Sequence, residues 1–140
     1  MNYKKINDTY VIRIDRGEEI LSNLTDFCKK EHVTLATVQG IGAADHAVIG
    51  LYDVGERKYH SHFYDEPLEI TSLIGNITTK DGEVYLHLHV NMCRLDMGFI
   101  GGHLSECRIS ATSEIFVRTI DGTVDRTFDA AVTGLNLLDV

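Results

Sequence analysis

The chain has 140 residues, 44% hydrophobic and 24% charged, with one proline and a formal charge of −8. That length makes one domain able to bury roughly two-thirds of its unfolded surface. The acidic balance argues against a protein that grips nucleic acid through its phosphates, since the thirteen Lys and Arg are scattered and the global field repels DNA.

No stretch approaches the eighteen or so uninterrupted apolar residues of a membrane span. The softest run, VTLATVQGIGAADHAVIG, is broken by Gln39, Asp45 and His46. The N-terminal MNYKKINDTYVIRID lacks the apolar core of a secretory signal, so a cytoplasmic location is expected. Cys28, Cys93 and Cys107 are odd in number and widely spaced. They are expected to be free thiols in a reducing compartment.

In chain order, a first strand is expected around Tyr10 to Ile14. Ile20, Leu21, Leu24, Phe27 and Cys28 then recur at helical spacing, predicting one amphipathic helix over Gly17 to Glu31. Glu18 and Glu19 are expected in its first turn and Lys29-Lys30 in its last, matching the helix dipole. Everything after the helix reads as strand: VTLATVQGIGA, HAVIGLYD, KYHSHFYD, LEITSLIGNIT, EVYLHLHV, SEIFVRTI and TVDRTFD. Gly55-Glu56, Asp81-Gly82 and Asp121-Gly122 punctuate these strands as hairpin turns would. The fold class is therefore α+β: a single domain over 1–140, one major helix on a mainly antiparallel sheet or half-barrel. Gly40-Ile41-Gly42 lacks the third glycine and the following helix of a dinucleotide fingerprint, and reads as a bulge or bend.

The chemistry concentrates in YLHLHVNM, Tyr85 to Met92. Strand side chains alternate, so Leu86, Leu88, Val90 and Met92 point to the core while Tyr85, His87, His89 and Asn91 point away. Residues two apart in a strand are about 6.7 Å apart, close enough for two imidazoles to lean onto one ion. His60-Ser61-His62 has the same spacing, so spacing alone leaves a metal pair and a polar face both open. The best third ligand is His103, because Gly101 and Gly102 before it allow a turn or a close backbone approach. Cys93 and Cys107 each follow a histidine by four residues, about 13 Å in a strand, too far to share an ion. Glu69 and Glu114 lie inside apolar strands, either as outward-facing residues or as acid/base and supporting groups beside the histidines. No GxSxG, Walker loop or HExxH is present.

Together VQGIGAADHAVIGLYD, KYHSHFYDEPLEITSLIGNIT, GEVYLHLHV, GGHL and TGLNLL resemble, in order and spacing, the PPC (plant and prokaryote conserved) domain over about residues 10–138. The resemblance implies an antiparallel α+β domain that assembles as a homotrimer. It further implies a metal site, with zinc the natural ion, on the HxH and GGH motifs: His87, His89 and His103. A small anionic ligand could then share that ion, and whether the site catalyses anything is left open. Plant members carry an Arg where Pro67 stands, lack the histidine triad, and have an AT-hook this chain does not. The family's DNA-binding label is thus an alternative, as is a purely structural trimeric scaffold.

Overall fold

The computed structural model describes all 140 residues. Nine strands and one helix follow in the order β1 (Asn2–Ile6), β2 (Thr9–Asp15), α1 (Ile20–Glu31), β3 (Ala36–Asp53), β4 (Lys58–Tyr64), β5 (Leu68–Lys80), β6 (Glu83–Arg94), β7 (Phe99–Thr119), β8 (Arg126–Phe128) and β9 (Asn136–Leu138). The first seven strands form one antiparallel sheet in the order β1-β2-β7-β6-β5-β3-β4. Because β3 also bonds to β7, the sheet closes on itself through β7, β6, β5 and β3. Closure removes the edges of those four strands, which would otherwise present unpaired backbone groups.

The expected alternation in β6 is what builds the interior. Leu88, Val90 and Met92 are almost wholly buried, and meet Ile70, Leu73 and Ile77 of β5 in one core. Helix α1 adds Ile20, Leu24 and Phe27 to the same cluster, and the Phe27 ring meets Tyr10 edge-on at 4.9 Å. Each such side chain contributes about 1.5–3 kcal/mol of burial.

The helix begins at Ile20, three residues later than its sequence signal, because Gly17 turns the chain at φ +85° and Glu19 is the N-cap. The Glu19 carboxylate accepts from the amides of Leu21 and Ser22, so Glu18 and Glu19 precede the first turn instead of occupying it. Lys29 and Lys30 do stand in the last turn, which His32 ends in a left-handed conformation.

Asp81 and Gly82 take φ +53° and +80° at the β5–β6 hairpin, the two positive values of a type I′ turn. The segment around Gly55-Glu56 joins β3 to β4, also as a hairpin. Asp121-Gly122 does not join antiparallel neighbours. Both sides of β7 are already taken there, Arg118 by Thr9 of β2 and Thr119 by Ala36 of β3. The chain therefore leaves the sheet, and β8 pairs with β9 in a separate hairpin.

VTLATVQGIGA and HAVIGLYD are one strand, β3, with register shifts at Gly40/Gly42 and Ala44/His46. The glycine pair is thus a bulge, and a Cβ on Gly42 would sit 2.6 Å from the Thr112 carbonyl oxygen. Strand β7 runs far upstream of SEIFVRTI, a length hidden from simple alternation. Its buried residues Leu104, Cys107 and Ile109 change phase where the register against β3 slips. Strand β1, mostly exposed, carries no core-facing pattern and was equally silent.

Candidate metal centre

His87 and His89 leave β6 on the face opposite Leu88 and Val90. His103 comes from β7 at the position where that strand changes neighbours: it is the cross-strand partner of His89 on one side and of Gly50 on the other. Paired residues of an antiparallel ladder point to the same face, so His103 converges on the two histidines of β6. Ring centroids lie 5.2 Å apart for His87 and His89, 5.4 Å for His87 and His103, and 5.7 Å for His89 and His103. One nitrogen from each ring lies within 4.8 Å of the other two.

Glycines make this approach possible. A Cβ on Gly102, whose φ is +154°, would fall 2.6 Å from the Gly50 carbonyl oxygen, and one on Gly101 would fall 2.7 Å from that of Val90. Gly50 in turn leaves room for the Tyr59 ring, which packs 5.3 Å from His103.

The electrostatics favour neutral rings at His87 and His103. Burial, reinforced by the neighbouring His103 and His89 and by Arg126, pushes His87 down to about 4. Burial and His89 also lower His103. A neutral imidazole keeps a lone pair free for a cation. The buried Nδ1 of His103 has no hydrogen-bond partner in the protein, a vacancy that ordinarily carries a free-energy cost of about 1–3 kcal/mol. An all-imidazole set with an orphaned buried nitrogen suits a borderline ion such as zinc.

Beside His87 and His103 opens a cavity of about 290 Å³, walled by Tyr59, Asn76, Tyr85 and Arg126 and covered by Leu135 to Leu138 of the C-terminal hairpin. Glu69 and Glu114 are not there. Both are exposed, and they face separate surface grooves on other parts of the sheet. Their strand positions place them outward, away from the histidines of the same chain. His60 stands apart from the triad, with its Nε2 3.1 Å from Glu56. His60, Glu56 and Asp53 form a second, largely exposed group. Sequence reasoning missed Arg126, Asn76 and Tyr59. Asn76 alone had a local signal, as the cross-strand neighbour of His87 in the β5–β6 hairpin.

Comparison with known proteins agrees with this architecture. The model of the Plants and Prokaryotes Conserved (PCC) domain matches residues 1–121. A Bacteroides thetaiotaomicron structure described as a candidate DNA-binding protein is 31% identical, covering 99% of this chain and 96% of its own at a TM-score of 0.95. A metal-containing protein of Archaeoglobus fulgidus is 32% identical, with coverage of 99% and 98% and a TM-score of 0.88. A plant- and prokaryote-conserved protein of Pyrococcus horikoshii is 29% identical, with coverage of 99% and 94% and a TM-score of 0.87. No curated protein matches the chain.

Proposed function

Since the chain belongs to the Plants and Prokaryotes Conserved domain family, we propose that it is a homotrimeric module holding one divalent ion, zinc by donor chemistry, on His87, His89 and His103, where it takes a small ligand. The observation that carries this reading is the convergence of three imidazole nitrogens within 4.8 Å, with the buried Nδ1 of His103 unpartnered. The metal-containing relative from Archaeoglobus fulgidus lends it support. No fourth His, Cys, Asp or Glu joins the group, so an ion held by the three histidines would have room for a further ligand. When bound, such an ion supplies Lewis-acid polarisation of an oxygen ligand. The protein's own part is to keep His87 and His103 neutral and to wall the adjoining cavity.

The test is metal content of the purified, untagged protein beside the His87→Ala, His89→Ala double variant. About one zinc per chain in the former and none in the latter is expected. No metal in either after incubation with zinc overturns the reading.

Assembly is supported by a groove lined by Ile41, Ile74 and Phe116, which are 55%, 53% and 42% exposed. Ile74 is the cross-strand partner of His89, so a neighbouring copy in this groove would also border the metal site. Sedimentation should give about three times the 15.7 kDa of the chain. A monomer at working concentration overturns the trimer.

A second reading, direct DNA binding, draws on the description of the Bacteroides relative. The charge of −8 opposes it, and Arg57, half of one of the few basic pairs, spends its guanidinium on the carbonyls of Ala130 and Ala131. A low-salt gel shift without a complex at micromolar protein removes it.

A further inference from the structure

We propose that Arg126 is the anion-recognising residue of the histidine cavity, and that the ligand is a small carboxylate with a short apolar stem. The proposal rests on the metal-site reading for the position of the ligand, but its core, a built carboxylate seat at Arg126, can be tested separately.

Arg126 is 7% exposed, yet no carboxylate lies within ion-pair distance of it. A buried cation with no counter-charge is costly. Its neighbours hold the side chain rigidly without neutralising it. Nε donates to Thr78 Oγ1 at 2.8 Å, Nη1 to the Asn136 carbonyl at 2.8 Å and Nη2 to Asn76 Oδ1 at 2.9 Å. The guanidinium also lies over the Tyr85 ring, 4.6 Å from its centroid. These bonds leave one N–H on each terminal nitrogen without a protein partner, two donors that a carboxylate can accept from.

Position supports the assignment. Asn76 is the cross-strand partner of His87, and Thr78 that of Tyr85, so the guanidinium head is fixed over the ladder that carries the histidines. Arg126, His87 and His103 line the same cavity. At about 290 Å³ that cavity lies at the lower limit for ligand sites, a size that favours a small molecule. Leu135, Leu137 and Leu138 with Tyr59 make the remaining wall apolar enough for a hydrocarbon or aromatic stem.

Arg126 sits in the C-terminal hairpin, beyond the residues that the domain model matches. The hairpin is fastened over the cavity by the Tyr52 hydroxyl, which donates to the Thr133 carbonyl at 2.9 Å, and by both Arg57 bonds. Asp129 stiffens its turn by accepting from the amides of Ala131, Val132 and Thr133. Ligand selection is thus vested in a segment that the sheet itself does not supply.

The experiment measures calorimetric binding of benzoate, neutral benzamide and inorganic phosphate to zinc-loaded wild type, Arg126→Gln and Arg126→Lys. Zinc content and thermal midpoint are recorded for each. Benzoate should bind wild type, benzamide should not, and both variants should weaken benzoate by about 10- to 100-fold while retaining zinc. In the wild type, the Arg126 Nε–H resonance should shift on benzoate addition, a readout that survives if a variant fails to fold. Equal benzoate affinity in wild type and folded variants, or an unmoved Arg126 resonance, overturns the proposal. Phosphate binding tighter than benzoate overturns the carboxylate assignment. Zinc bound without Arg126-dependent benzoate sinks only this inference. Arg126-dependent benzoate binding without zinc supports Arg126 and sinks the metal reading instead.

Discussion

His103 faces His89 directly across the β6–β7 ladder and, from its other side, faces Gly50 of β3. One residue of β7 therefore links both neighbouring strands at the histidine cluster, where the backbones approach closely.

Gly102→Ala tests that close approach. The added Cβ would meet the Gly50 carbonyl oxygen at 2.6 Å in a backbone conformation of φ +154°. We expect a loss of about 1–3 kcal/mol of stability together with weakened zinc uptake, read by urea unfolding and metal analysis. Unchanged values in both would show that the β7–β3 approach is not needed.

The two faces of β6 should respond unequally to truncation. Leu88 is 1% exposed, and Leu88→Ala should cost about 2–5 kcal/mol. His89 is exposed, and His89→Ala in the metal-free protein should stay within about 0.5 kcal/mol. Urea denaturation of both variants without metal makes the comparison.

Imidazole titration in the metal-free protein should separate two histidines. His87, depressed by burial and neighbouring positive groups, should titrate at about 4. His46, bonded to Asp65 at 2.6 Å, should titrate above its usual value. The signs for stability are opposite. Below pH 6.5 the unfolded chain takes up a proton that native His87 refuses, so this contribution is lost as pH falls from 6.5 towards 4. The His46 contribution is full below pH 6.5 and fades as pH rises through its raised native value. Proton NMR of the ring C–H signals, beside thermal midpoints of His87→Gln and His46→Gln across the range, checks both.

Thiol reactivity should be graded by burial. The thiols of Cys28 and Cys107 are pushed up to about 12 by burial, whereas Cys93 is partly exposed. Since the thiolate is the reactive form, a disulfide reagent at pH 8 should titrate Cys93 promptly and the other two only on unfolding. Rapid modification of all three would show that the core opens readily.

Much of the site was visible in local pattern. His87 and His89 stood out because period-two alternation assigns them to the face away from Leu88 and Val90, and Gly101-Gly102 marked the close approach before His103. For Glu69 and Glu114 the sequence left an outward position and a supporting role both open, because alternation tells which side of a strand a residue takes but not what lies across it. Arg126 gave no signal, since its partners Thr78 and Asn76 are 48 and 50 residues away.

The sequence by itself determined the single amphipathic helix, the antiparallel hairpins such as Asp81-Gly82, and the split of β6 into an apolar and a histidine face. These depend on side-chain periodicity and turn chemistry within a few residues. Only the tertiary structure decided that β3 and β7 close the sheet, that His103 lands opposite His89, and that the tail carries Arg126 over the cavity. Those depend on which backbone edges remain unpaired once the other strands are in place, a competition among residues far apart in the chain. At the end of β7, Thr9 and Ala36 had already filled both edges, and the chain beyond could only turn away and cover the site.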